Sequence, residues 1–377
     1  MEQAVARQAL ALEGVLVVDV TRMLPGAILA RQLLDLGARL IKVEDPAGGD
    51  PFRLAPPQVE GLGAGFATMY RGAESLTLDL RAPGDAAKLA RLAGKADVLL
   101  ESFRPGTLAR WGLGPDRLLG ENPGLVYCAM SSFGQAGPRQ NDVGHDLNFV
   151  ALAGALPLVG GEVPGLQLAD ITSGLLACSA VLAALLARGR DGRGRLVDQP
   201  LALGPLPFLA WAWADAAAGT GSLLESMLAG WVPCYRCYLC GDGRQIALGA
   251  LEPKFWLGFV NLLGLSHLAS LGLVLGPEGE AVTEEVTVAL AARPAAAWAA
   301  AAREAGLPVT LVHTPEEGRR DPYYQDSGWT EATPLPSGAT LAGVGPFQPS
   351  VGRTPARPAP QPGEHNQALA REFGWAD

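Results

Sequence analysis

The chain has 377 residues, 49% of them apolar and 18% charged, with a formal net charge of −9. This composition excludes a disordered chain, which lacks the apolar surface to offset its conformational entropy. No long basic run is present, so nucleic acid is not an expected partner.

The length predicts more than one domain. Five cysteines in such a chain do not make a disulfide framework. The residues before Gly14 lack the apolar core of a leader peptide. The longest apolar stretch, "TSGLLACSAVLAALLAR" (172–188), is short for a spanning helix and rich in Ala, so a buried helix is expected and no membrane. The expected location is cytoplasmic.

In chain order, "GVLVVDVT" (14–21) is a Val-rich run of the kind buried parallel strands show. "PGAILARQLLDLGA" follows with apolar residues at helical spacing and a closing Gly, then "RLIKVED" (39–45) as a second strand. A strand–helix–strand unit of this length implies a right-handed crossover and a parallel sheet. The alternation continues through the strand "SLTLDLR" (75–81), the helix "DAAKLARLAG", and the strands "ADVLLES" (96–102) and "GLVYCAMS" (124–131). The fold class is therefore α/β, with a doubly wound parallel sheet. The first strand leads into "TRMLPG" and not into G-x-G-x-x-G, so a nicotinamide-dependent dehydrogenase is disfavoured.

After 172–188, "RGRDGRGRLVDQPLA" supplies a turn and a strand, and residues 204–222 cross into a second domain. There "CYRCYLCGDGRQIALGA" reads as a hairpin turning at Gly241–Asp242–Gly243, followed by the helix "EPKFWLGFVNLLG" and an Ala-rich helix at 294–305. From about 335 the chain is Pro-rich and closes with the helix "NQALAREFG", a tether back to the first domain. The expected domains are 1–205, 223–330 and a return segment, 335–377, completing the first.

Cys234-x-x-Cys237-x-x-Cys240 has the look of a metal motif, but Tyr, Arg, Tyr and Leu between the thiols favour an extended strand, on which Cys237 faces away from the other two. No metal site is expected. His145, one of four histidines, stands at the start of "HDLNFVALAGAL". A helix N-terminus favours the neutral imidazole that a general base requires. Asp170, in "GLQLADITSGLLAC", stands immediately before a predicted helix, either as an N-cap or as an ionised carboxylate free to act as base or nucleophile. Glu252 follows the hairpin at another helix start, where it either suits the dipole or orients a histidine.

"GVLVVDVTRMLPGAILARQLLDLGARLIKVEDPAGGDPFR", "ADVLLESFRPGTLARWGLG", "LVYCAMSSFGQAGP", "GHDLNF", "LADITSG", "GRGRLVDQPL" and "GDGRQIALGALEPKFW" occur in that order. Together they resemble the family III CoA-transferases, and within them the α-methylacyl-CoA racemase branch. The resemblance covers essentially the whole chain. It implies a large Rossmann-like domain built from both ends of the chain, a smaller central α+β domain, and an interlocked homodimer with the active site between domains of different subunits. It also implies an acyl-CoA thioester as substrate, with CoA carried by that substrate and no other cofactor.

Two chemistries follow from the resemblance. A racemase uses His145 and Asp170 as bases on opposite faces of the α-carbon, with Glu252 paired to the histidine. A transferase uses Asp170 as nucleophile. Arg71, Arg104 and Lys42 are the cations implied near the CoA phosphates. Four positions depart from the family pattern: Phe149 stands where a tyrosine hydrogen-bonded to the aspartate is usual, Asp45 where a basic residue contacts the nucleotide, and Ala73–Glu74 where a basic pair is common. These departures also admit a non-catalytic acyl-CoA-binding paralogue.

Overall fold

The computed structural model describes residues 9–219, 227–353, 355 and 357–375. The 223 boundary and the end of the expected 204–222 crossing lie outside them. The chain forms two compact units, one of Met1–Ala153, Gly165–Leu206 and Pro322–Asp377, the other of Gly154–Pro164 and Pro207–Asp321.

The first unit begins β1 (Leu16–Asp19), α1 (Met23–Asp35) and β2 (Arg39–Glu44). A short hairpin, β3 (Gln58–Val59) and β4 (Leu62–Gly63), leads into α2 (Ala64–Met69). The alternation resumes with β5 (Glu74–Thr77), α3 (Pro83–Ala93), β6 (Val98–Glu101), α4 (Thr107–Arg110), α5 (Pro115–Glu121) and β7 (Val126–Ala129). Then come α6 (Asp146–Ala153), α7 (Leu168–Asp191) and β8 (Arg195–Asp198).

Six strands pair in the order β5-β2-β1-β6-β7-β8, every pair parallel. The order reverses between β1 and β6, so the sheet has a switch point there, and its carboxyl edge opens a crevice. Consecutive residues along each central strand bury on opposite faces. Val17, Val98, Leu100 and Val126 join α1 and α7, whereas Val18, Leu99 and Tyr127 join α3. That double burial explains why these strands read as continuous apolar runs.

The helix expected at 172–188 is the middle of α7. It is long and apolar enough to cross a membrane by composition, yet it packs closely on α1. A Cβ at Gly174 would lie 2.7 Å from Ile28 side-chain atoms and from the Pro25 carbonyl oxygen, so only glycine allows the two backbones this approach.

The second unit contains α8 (Leu206–Ala218) from Pro207 onward, then β9 (Tyr235–Leu239) and β10 (Gln245–Gly249), the expected antiparallel hairpin. Cys234 and Cys240 are buried and Cys237 is exposed, the alternation a strand imposes. The helices α9 (Pro253–Leu262), α10 (Gly276–Leu290) and α11 (Ala295–Glu304) pack around the sheet, which β11 (Val309–Leu311) completes before α12 (Pro315–Arg320).

The chain re-enters the first unit through α13 (Pro322–Asp326), the hairpin β12 (Thr330–Pro334) and β13 (Thr340–Val344), and the terminal α14 (Asn366–Phe373). Along the outer edge of β5, Ser75 N donates to His365 Nδ1 at 3.2 Å and Thr77 N donates to Asn366 Oδ1 at 2.9 Å. Side chains of the return segment thus satisfy edge amides that would otherwise offer a template for another strand. Leu369 and Phe373 sink into the core beside α3.

Candidate active site

His145 precedes α6 and its carbonyl accepts from Asn148 N at 2.8 Å, so it is the helix N-cap, as its sequence position predicts. Its own amide donates to Asn148 Oδ1 at 3.0 Å, the return half of a capping box. The imidazole is exposed. Behind it, the Phe149 ring is fully buried and meets Phe133 edge-on, 5.5 Å between centroids. A Cβ at Gly144 would stand 2.7 Å from Phe149 Cε1, so the loop carrying His145 rests directly on that ring.

Asp170 is not the residue before α7 but the third residue within it, and the N-cap is Gln167. Gln167 Nε2 donates to Asp170 Oδ2 at 2.9 Å, and the Asp170 amide donates to Asp146 Oδ1 at 3.0 Å. The starts of α6 and α7 are therefore tied together through Asp146, with Asp146 and Asp170 both 8% exposed.

A helix start by itself favours an ionised carboxylate. Here the balance runs the other way. Burial, then the nearby Asp146 carboxylate, pushes Asp170 up to about 6, and His145 and the Gln167 hydrogen bond offset only part of this. The result is a carboxyl group that exchanges protons close to neutrality, electrostatically coupled to an exposed imidazole.

Lys42 and Arg71 lie inside the protein. Lys42 is fully buried, 3.1 Å from Asp50 Oδ2 and 3.4 Å from Asp19 Oδ2, and it donates to the Thr21 carbonyl. Burial alone disfavours its ammonium, but Asp19, Tyr70 and Asp50 outweigh that and raise its pKa. Arg71 is also fully buried, donating to Thr333 Oγ1 at 2.9 Å and to the Val344 carbonyl at 3.0 Å. It fastens α2 to the β12–β13 hairpin. Cations held this way present no donor at the surface, where a phosphate would meet them. The sequence showed the residue type at these positions but not its burial.

Arg104, by contrast, is exposed in the loop after β6. Its neighbour Phe103 lines a crevice of about 290 Å³ at the carboxyl edge of the sheet, together with Thr21, Arg22, Asp45, Asp79, Arg81 and Trp111, among others. Glu74 sits at the other end of β5 and is occupied by Arg39, which binds both its oxygens at 3.0 and 2.8 Å. Glu252 belongs to the second unit. It is the exposed N-cap residue of α9, and its side chain makes no capping hydrogen bond.

The comparisons with known proteins bear on the whole chain. CoA-transferase family III matches residues 12–366. The chain belongs to that family. Human alpha-methylacyl-CoA racemase is 33% identical over 97% of this chain and 94% of its own length. A probable fatty acyl-CoA transferase of Mycobacterium tuberculosis is 32% identical over 96% and 98%. A CAIB/BAIF family protein from Brucella suis superposes with a TM-score of 0.83 at 28% identity, covering 97% of this chain and all of that one. The family thus holds relatives named for racemisation and for CoA transfer at nearly equal similarity to this chain.

Proposed function

We propose that this family III member is a racemase or epimerase of 2-methyl-branched acyl-CoA thioesters. The observation that carries the reading is the pairing of His145 with an Asp170 whose carboxyl is raised to about 6. Inverting a centre α to a thioester requires one base to remove the C2 proton while a second group, already protonated, returns one to the opposite face. Two groups of similar basicity serve this best. Burial and the Asp146 charge have brought Asp170 out of the ordinary carboxylate range and close to neutrality, where it can be found in either protonation state.

In one direction neutral His145 takes the C2 proton and its electron pair moves into the thioester as an enolate. The protonated Asp170 then delivers a proton to the other face. In the other direction the roles exchange. The first-turn amides of α6 at Asp146 and Leu147 are suited to donate to the enolate oxygen, since early helical N–H groups have no intrahelical acceptor. The step is redox-neutral and calls on no cofactor beyond the CoA of the substrate. Glu252 supports His145 in this reading, and the working form is an interlocked homodimer in the cytoplasm.

The deciding experiment is deuterium wash-in at C2 of a 2-methylacyl-CoA panel in D2O. Inversion at C2 is expected to be lost in both His145→Ala and Asp170→Ala, with exchange surviving for at most one epimer in each. No exchange by the folded wild-type protein with any branched thioester overturns the reading.

The relatives named as transferases favour a second reading, in which the Asp170 carboxylate attacks the thioester carbonyl, expels the CoA thiolate and forms an acyl anhydride. Hydroxylamine would then trap acyl-Asp170, and a wild-type transfer rate in Asp170→Ala would exclude it.

A further inference from the structure

The crevice at the carboxyl edge of the sheet lies beside the switch point, where open α/β sheets take their ligands. One wall is aromatic: Phe103 and Trp111 meet edge-on at 5.5 Å, with the Arg22 guanidinium 5.1 Å above the Phe103 ring. Flat apolar surface flanked by a cation suits a nucleobase. Another part of the lining is set by the ends of β2 and β5. Asp45 directly follows β2, and Asp79 lies two residues beyond β5.

Those two carboxylates share one cation. Arg81 Nε donates to Asp79 Oδ1 at 2.7 Å, and Arg81 Nη2 donates to Asp45 Oδ2 at 3.2 Å. The remaining Asp45 oxygen is used by the Ala47 amide at 2.9 Å, which fixes the carboxylate in place. In such sheets an acidic side chain following the second strand accepts hydrogen bonds from free ribose hydroxyls, whereas a phosphorylated ribose needs an arginine there. Here that arginine is already engaged by two carboxylates. A phosphate binding the remaining N–H groups of Arg81 would stand against both negative charges. Hydroxyl groups face no such conflict, since they donate to the carboxylates directly.

We propose that this crevice seats the adenosine end of the thioester carrier with its ribose turned toward Asp45 and Asp79, and that it does not select for the ribose 3′-phosphate. Carriers with a free 2′,3′-diol, of the dephospho-CoA kind, are accepted at least as well as CoA. The inference rests on the acyl-thioester reading for its ligand class and adds the discrimination at the ribose.

Calorimetric titration of the intact protein with CoA and with 3′-dephospho-CoA tests it. The dephospho form is expected to bind within threefold of CoA or more tightly. Asp45→Arg is expected to tighten CoA about tenfold while leaving dephospho-CoA within threefold, and the milder Asp45→Asn to shift the ratio the same way by about threefold. Trp111→Ala is expected to weaken both about tenfold. Wild-type protein that binds CoA tenfold more tightly than its dephospho form overturns the proposal. So does an Asp45→Arg variant that leaves the ratio unchanged, or failure of both compounds to bind. The titrations use no acyl group, so a negative C2 exchange assay beside intact titrations removes only the racemase reading.

Discussion

The backbone amide of Asp170 donates to the Asp146 carboxylate at 3.0 Å, so the residue following one proposed base holds the other in place. Asp146 acts on Asp170 in two ways, as an acceptor that positions its helix and as a negative charge that raises its pKa. Two substitutions separate them. Asp146→Asn keeps an acceptor oxygen and removes the charge, so the Asp170 pKa should fall from about 6 toward the ordinary aspartate value, with little loss of stability. Asp146→Ala removes both and should cost about 1 kcal/mol, the usual value of a capping interaction. NMR titration of labelled aspartate and urea unfolding read the two effects.

Asp170 also predicts a pH dependence of stability. Its pKa is raised on folding from 3.8 to about 6, so the folded state binds its proton more tightly than the unfolded state does. Stability from this group is therefore fully present below about pH 4 and lost as pH rises through about 6. Asp170→Asn escapes the loss. Relative to wild type it should gain up to about 3 kcal/mol between about pH 4 and about pH 8, since a tenfold difference in proton affinity between the two states corresponds to about 1.4 kcal/mol. Denaturant midpoints across that range check this. A variant that gains nothing above about pH 6 would show that Asp170 is not perturbed.

Phe149 is fully buried against Phe133 and under Gly144. Phe149→Tyr adds a hydroxyl to a site where an unpaired one costs about 1–3 kcal/mol. We expect that hydroxyl to find Asp170, to leave stability within about 1 kcal/mol of wild type, and to speed exchange at the Asp170 face more than at the His145 face. Initial rates with each pure epimer in D2O measure the asymmetry. Equal effects on both would show that position 149 does not act through the aspartate.

Asn366 satisfies the Thr77 amide at 2.9 Å and donates to Thr77 Oγ1 at 2.8 Å on the sheet's outer edge. Asn366→Ala should destabilise the protein by about 1–3 kcal/mol by leaving these groups unpaired, and it should expose the β5 edge. Faster amide exchange at Thr77 and aggregation on mild heating are the expected readouts.

The strands of the parallel sheet and the helices between them were legible because each carries its own periodicity. Residues 15–18 are apolar at four consecutive positions, as a strand buried on both faces requires. The hairpin at Gly241–Asp242–Gly243 and the alternation of Cys234, Cys237 and Cys240 were equally local facts. Helix α10 and the hairpin β12–β13 were not anticipated, because their apolar faces are defined by what they pack on more than by a regular pattern.

By itself the sequence determined the strand–helix alternation of the parallel sheet, the family, and the presence of His145 and Asp170 at two helix starts, since spacing and residue type are properties of a segment. Tertiary structure alone decided what those residues are worth. Asp170 is raised because burial and Asp146, 24 residues earlier in the chain, act on it together. Lys42 and Arg71 became internal ion-pair cations because the chain folded carboxylates and hydroxyls around them, and Asp45 met Arg81 across 36 residues at the crevice rim. Desolvation and charge pairing depend on distances in space, and one-dimensional spacing carries no measure of them.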